Sequence, residues 1–247
     1  MPRRSQVVLE PRKSPLQARS TATVEAILDA TLQVLLHVGK ERLTTTRVAL
    51  RAGVSVGTLY QYFPNKSALL QAVLKRHLAE ITETVELVCR EQEGKTLRQM
   101  VTALITAFLQ AKMRNAKTSA TLYSVSSDVD GAKIAQQMGT RSHKAISRML
   151  STTCEPLTTD PQLIASMLQA AMVGVSRNLL ESSAPDKQLG VLHRELIFVA
   201  CAYMDACCAR GSAPSAGAIG DGDKIPPSGM PDVARKNAVK RIHAPVQ

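Results

Sequence analysis

Apolar residues along this chain recur at spacings of three and four, and nowhere do they alternate with polar ones over a sustained stretch. That is the pattern of amphipathic helices, so the fold class expected is all-α, without strands. The first run is Val24, Ile27, Leu28, Thr31, Leu35 and Val38, with Ser20 or Thr21 available as an N-cap and Gly39 as a C-terminal stop. Two short helices follow. Thr44 can cap a helix over 45–51 whose inward pair is Val48 and Ala49, and Gly53 supplies the positive φ that a tight turn demands. Ser55 caps the next, over 56–63, which must stop at Pro64 because the residue before a proline is pushed out of helical geometry. Two helices joined by a glycine-containing turn make a helix-turn-helix pattern.

Beyond Pro64 the periodicity predicts a long helix over 66–90 ended by Gly94, and another from Thr96 carrying Leu97, Met100, Val101, Leu104, Ile105, Phe108 and Leu109. A short piece over 118–125 and a longer helix over about 132–153 come next. Asp160-Pro161 and Pro185-Asp186 each open a further helix, since proline is well placed in a first turn. On the last helix Val191, Ile197, Phe198 and Cys201 widen the apolar surface past what one inward face requires, which points to a partner. The division expected is a flexible basic arm over 1–19, a reading domain over 20–66, a helical domain over 67–210 and a disordered tail over 211–247.

Charge changes this picture by locating the partner. Lys plus Arg number 31 against 20 Asp plus Glu, a net charge of +11, and the first 75 residues hold 11 of the basic side chains and only four acidic ones. A polyanion therefore belongs to the N-terminal third. The opening segment has no apolar stretch long enough for a secretion signal before Pro11, and the longest apolar run, 196–204, is far short of the roughly 20 residues of a membrane span. A cytoplasmic chain with no membrane partner is expected. The five cysteines are scattered without a C-x-x-C pair, as suits reduced core thiols, with adjacent Cys207 and Cys208 leaving room for redox sensing. No phosphate loop, zinc-protease helix or nucleophile elbow is present, and the five histidines lack neighbours at metal-ligand spacing. No enzyme activity, catalytic residue, metal or cofactor is expected.

The second helix of the pair is suited to a DNA major groove, which is wide enough to admit a helix. Gly57 allows close backbone approach, Thr58 and Gln61 can donate and accept, and Tyr60 and Tyr62 combine a flat apolar body with a phenolic donor, with Lys66 just beyond. The chain has only three Phe and four Tyr, yet three of these seven crowd into positions 60–63. Leu59 and Phe63 fit inward packing; both tyrosines cannot face inward from so short a helix, so at least one is left for DNA. The arm's Arg3, Arg4, Arg12, Lys13 and Arg19 either reach an adjacent minor groove or add solvated charge.

Residues 44–70, TTTRVALRAGVSVGTLYQYFPNKSALL, resemble the signature of TetR-family regulators, and the resemblance extends over about residues 20–75. It implies that Thr44, Thr45 and Arg47 hold the DNA backbone, that Val56, Gly57, Thr58 and Tyr60 enter the groove behind the Ser55 cap, and that Tyr62 and Lys66 return to phosphate. Two positions depart from the family pattern: Leu43 stands where a threonine or serine is common, and Val56 where a basic residue is frequent. The resemblance also implies a variable helical domain that binds a small molecule and dimerises. Phe108, Met113, Tyr123, Met138 and Met172 are the candidates for an effector pocket, although the same residue types fill cores. The near-neutral charge of that domain suggests an uncharged or lipophilic effector. Ile164, Leu168, Ala171 and Val175 on one helix and Leu192, Leu196, Val199 and Tyr203 on the next are the candidate homodimer interface. The function expected is a dimeric repressor on a near-palindromic double-stranded operator, released by a small molecule; the competing reading is a DNA-binding factor with no small-molecule effector.

Overall fold

Nine α-helices and one 3-10 turn form along the described residues, 15–182 and 184–209 of this computed structural model, and no strand occurs among them. Of the flexible arm expected over 1–19, residues 1–14 lie outside the described residues while 15–19 are helical, and the tail expected over 211–247 lies outside them too. Helix α1 spans Pro15–Arg42, so it begins five residues before the cap expected at Ser20, with proline in its opening position. Its regular course breaks where expected, at Gly39, whose φ of 76° and ψ of 171° are non-helical.

Local sequence chemistry sets the next elements. Helix α2, Thr45–Ala52, is capped by the Thr44 hydroxyl, and its C-terminal Gly53 is left-handed at φ 69°. Helix α3, Val56–Tyr62, is capped by Ser55, whose hydroxyl accepts from the Thr58 amide at 2.9 Å. Helix α4, Lys66–Gln92, takes its cap from Asn65. Ile27, Leu35, Leu43, Val48, Ala49 and Leu59 are sealed together beneath the α2–α3 pair. Leu43, one of the two departures from the family pattern, is thus a core residue. Leu122, Val125, Val129 and Ile134 join the same apolar cluster, so the head's core continues into the following helices.

Helix α5 is Leu97–Met113, opened by a reciprocal capping box between Thr96 and Gln99. Helix α6, Ala116–Val125, begins two residues earlier than expected because Asn115 caps it. The 3-10 turn Ser126–Asp128 leads into α7, Gly131–Leu150, through Asp130 at φ 54°. A Cβ on Gly131 would stand 2.5 Å from the Ser126 carbonyl oxygen, so this turn closes only around glycine. Helices α8, Pro161–Glu181, and α9, Pro185–Ala209, complete the body. α4 packs on α5 and α7, α5 on α9, and α7 and α9 on α8.

Parts of α1 (Ser20–Arg42) and α8 are long and apolar enough to cross a membrane by length and composition. Each instead buries a face within the fold, α1 through Ile27, Leu28 and Leu35 and α8 through Ile164, Leu168 and Leu179. Three of the residues assigned to a dimer face are corrected by this packing: Ile164, Leu168 and Leu196 sit in the protomer's own core and have almost no surface to give a partner. Ala171, Val175, Leu192 and Tyr203 are half-buried, and only Val199 of the set is well exposed. Leu163, Met167, Val191 and Phe198 carry the exposed apolar surface of these two helices.

Candidate nucleic-acid interface

Caps and short hydrogen bonds hold the reading helix against its support. The Ser55 and Thr58 hydroxyls lie 2.8 Å apart, and the Tyr60 hydroxyl lies 3.2 Å from Thr45 Oγ1, which ties the outer face of α3 to the start of α2. Val56, Gly57, Tyr60 and Gln61 are exposed, Thr58 is half-buried, and Leu59 between them is sealed. Tyr62 and Phe63 both pack against the head's core, so of the two tyrosines Tyr60 is the one that stands free of it. Thr44 and Thr46 flank Thr45 on the exposed start of α2.

Basic residues around the motif brace it. Arg47 donates to the Arg42 carbonyl at 2.8 Å, Arg51 to the Gln33 side chain at 2.6 Å, and Lys66 to the Lys40 carbonyl at 3.0 Å. Lys66 thereby fastens the start of α4 to the end of α1, and an ammonium still has further protons to offer a phosphate. The Arg76 guanidinium spans Glu25 and Asp29, each at 2.8 Å, locking α4 along α1. Sequence reasoning missed these braces; except for the local Arg47–Arg42 contact, each joins residues distant along the chain.

Behind the head, α4, α5, α6, α7 and α8 enclose a cavity of about 540 Å³. Of the five pocket candidates, Phe108, Tyr123, Met138 and Met172 line it; Met113 instead packs half-buried against the body's core. The lining also includes His77 and Lys112, which were not singled out in the sequence. Ser119 Oγ donates to the Lys112 carbonyl at 2.7 Å and lies 3.0 Å from His77 Nε2. With the hydroxyl proton engaged, His77 must be the donor of that second bond. Burial, helped by the nearby Lys112 charge, brings the His77 pKa down to about 4 and so keeps the ring neutral near pH 7. At the rim, Arg177 stands 5.4 Å over the Tyr123 ring.

One wall of the cavity connects with the head. Ser126 and Ser127 of the 3-10 turn line the cavity, and Asp128 of the same turn pairs with Lys40 at 2.6 Å, just past the Gly39 break in α1. That partner raises the Lys40 pKa, chiefly through the hydrogen bond to Asp128. Gln71 of α4 donates to the Val129 carbonyl at 3.3 Å beside it.

A helix-turn-helix head continuous with a cavity-bearing helical body is the architecture of a DNA-binding regulator. Residues 27–73 match the bacterial regulatory proteins of the tetR family, and residues 96–204 match the tetracyclin repressor-like C-terminal domain. This chain belongs to the TetR family. It is similar to the transcriptional repressor KstR of Rhodococcus jostii, 31% identical over 142 residues that cover 56% of this chain and 62% of that one. It is also similar to the A-factor receptor protein of Streptomyces griseus, 39% identical over 85 residues that cover 34% of this chain and 28% of the other. The matches thus span between 28% and 62% of these curated relatives' lengths. A solved TetR-family chain from Mesorhizobium loti shares the fold, with a TM-score of 0.63 at 17% identity, covering 76% of this chain and 98% of that one.

Proposed function

We propose that the protein is a ligand-responsive repressor that binds a near-palindromic operator as a dimer and lets go when a small molecule fills the cavity. Two reading heads would sit in successive major grooves, about 34 to 36 Å apart, with Tyr60, Thr58 and Gln61 toward the bases and Thr44, Thr45 and Arg47 along the backbone. The observation that carries the reading is the shared turn: the segment that lines the cavity with Ser126 and Ser127 also grips Lys40 through Asp128, at the hinge of α1. A ligand that displaces this turn therefore tilts the head. A few kcal/mol of preference for the tilted state suffices, since each ~1.4 kcal/mol is tenfold in affinity.

Dimerisation is assigned to the exposed apolar faces of α8 and α9, around Leu163, Met167, Val191, Phe198 and Val199. Such a patch would otherwise stand in water. A DNA-binding regulator of this kind works in the cytoplasm. The test is selection of bound sequences from a random double-stranded DNA pool, followed by challenge of the complex with a library of small molecules. A near-palindromic site released by a subset of the library is the expected result. Recovery of no preferred sequence would sink the repressor, and a site that no compound releases would sink its ligand response.

A further inference from the structure

Helix α5 turns one charge inward. Lys112 follows Phe108 by four residues and Leu109 by three, so helical spacing places it at the end of the stripe that buries Leu104, Ile105, Phe108 and Leu109. It lines the cavity, yet its ammonium makes no hydrogen bond or ion pair with any described residue. No aspartate or glutamate belongs to the cavity's lining. The other polar groups there are hydroxyls, the Gln169 amide and the His77 ring, whose Nε2 proton is already committed to Ser119. The walls are otherwise apolar, through Leu78, Ile81, Val85, Met138, Ile146 and Met172.

An ammonium held among apolar walls without a partner is costly, and burial lowers its pKa accordingly. An anion entering the cavity would relieve that cost through a charge-assisted hydrogen bond, which is shorter and stronger than a neutral one. The balance of the lining also sets how much charge it accepts. With His77 neutral, no carboxylate in the lining and Arg177 at the rim already paired with Glu181, Lys112 gives the lining a single positive charge, which suits a monoanion and leaves a phosphate dianion half uncompensated. The volume of about 540 Å³ lies inside the range of ~300–1,000 Å³ usual for small-molecule sites.

We propose that the cavity takes an amphipathic monocarboxylate, its head against Lys112 and its apolar body along Phe108, Met138 and Met172. The proposal rests on the ligand-responsive reading; of the uncharged or lipophilic effector expected from the body's near-neutral charge, it keeps the lipophilic body and replaces the neutral head. Net charge sums the surface of a domain, whereas the cavity meets its ligand through one lysine.

Calorimetric titration of the full chain with dodecanoate and with 1-dodecanol tests it, on the wild type, Lys112→Met and Lys112→Arg. The wild type should bind dodecanoate at least tenfold more tightly than the alcohol, Lys112→Met should abolish that preference, and Lys112→Arg should keep most of it. Wild-type unfolding midpoints and operator binding in each variant establish that the fold is intact. Equal affinity for the two probes, failure of dodecanoate to bind, or a preference that survives Lys112→Met would each overturn the proposal. The alcohol binding equally well and releasing operator would do so while leaving the ligand response standing. Lysine-dependent binding of dodecanoate with no effect on operator affinity would support the monocarboxylate site and count against the ligand response instead.

Discussion

The reading head and the body are built from the same apolar residue types but fill their interiors differently. In the head, Ile27, Leu35, Leu43, Val48 and Leu59 close on one another with no more than 1% of any side chain exposed. In the body, helices of similar composition leave a cavity of about 540 Å³ and place a lysine in its wall. The head must hold two short helices at a fixed angle, and two-turn helices have little stability of their own. The body must yield to a ligand, and a void between its helices provides that freedom. Fixed geometry and adaptability thus fall to different parts of one chain, with Leu74 and Leu122 of the head's apolar cluster reaching the cavity wall.

Truncation in the two cores separates them most sharply. Leu59→Ala should cost about 2–5 kcal/mol, toward the upper end, because the sealed head has no slack to close over the gap. Met172→Ala should fall toward the lower end, since the space its side chain vacates joins the existing cavity instead of making a new sealed one. Denaturant unfolding of both variants measures the difference, and equal losses would erase the distinction between a closed and an open core. Loss of a cap is smaller: Ser55→Ala should destabilise by about 1 kcal/mol in the same assay, with operator affinity falling alongside because α3 loses its starting hydrogen bond.

The body carries its own pH signature. His77 has a folded-state pKa depressed from 6.5 to about 4, so its contribution to stability is fully present above pH 6.5 and is lost as the pH falls from there toward 4. His77→Gln should flatten stability against pH across that window, read by thermal unfolding at steps between pH 7 and 4; an unchanged slope would move the acid sensitivity elsewhere. The smallest effect on stability belongs to Asp128→Asn, which weakens an exposed pair with Lys40. Its unfolding midpoint should barely move, while the loss of operator affinity caused by an effector shrinks several-fold. Full effector response in this variant would show that the head is tilted by another route.

The sequence made the head legible because its determinants are local. Thr44 and Ser55 cap helices that begin one residue later, Gly53 takes a φ that other residues resist, and Pro64 ends α3 from two residues away. The order and type of the remaining helices followed from periodicity as well, as did the all-α class. What the pattern left open was which apolar face turns where. The interface set containing Ile164, Leu168 and Leu196 selected the stripes that α8 and α9 bury in their own protomer, because a stripe looks alike whether it meets a neighbour in the chain or a second chain. Lys112 did leave a signal, a charge in register with Phe108 and Leu109, but a long side chain at a helix end usually reaches water.

By itself, then, the sequence determined the helices, their caps and turns, and the face of α3 that a groove would meet, since hydrogen bonds and φ limits within a few residues decide those. Only the tertiary structure decided the rest: the cavity between α4 and α8, the neutral His77 held by Ser119, the unpaired Lys112, and the turn whose Asp128 ties the cavity wall to α1. Each of these depends on residues tens of positions apart being brought together, and no local preference specifies which of many apolar stripes will meet.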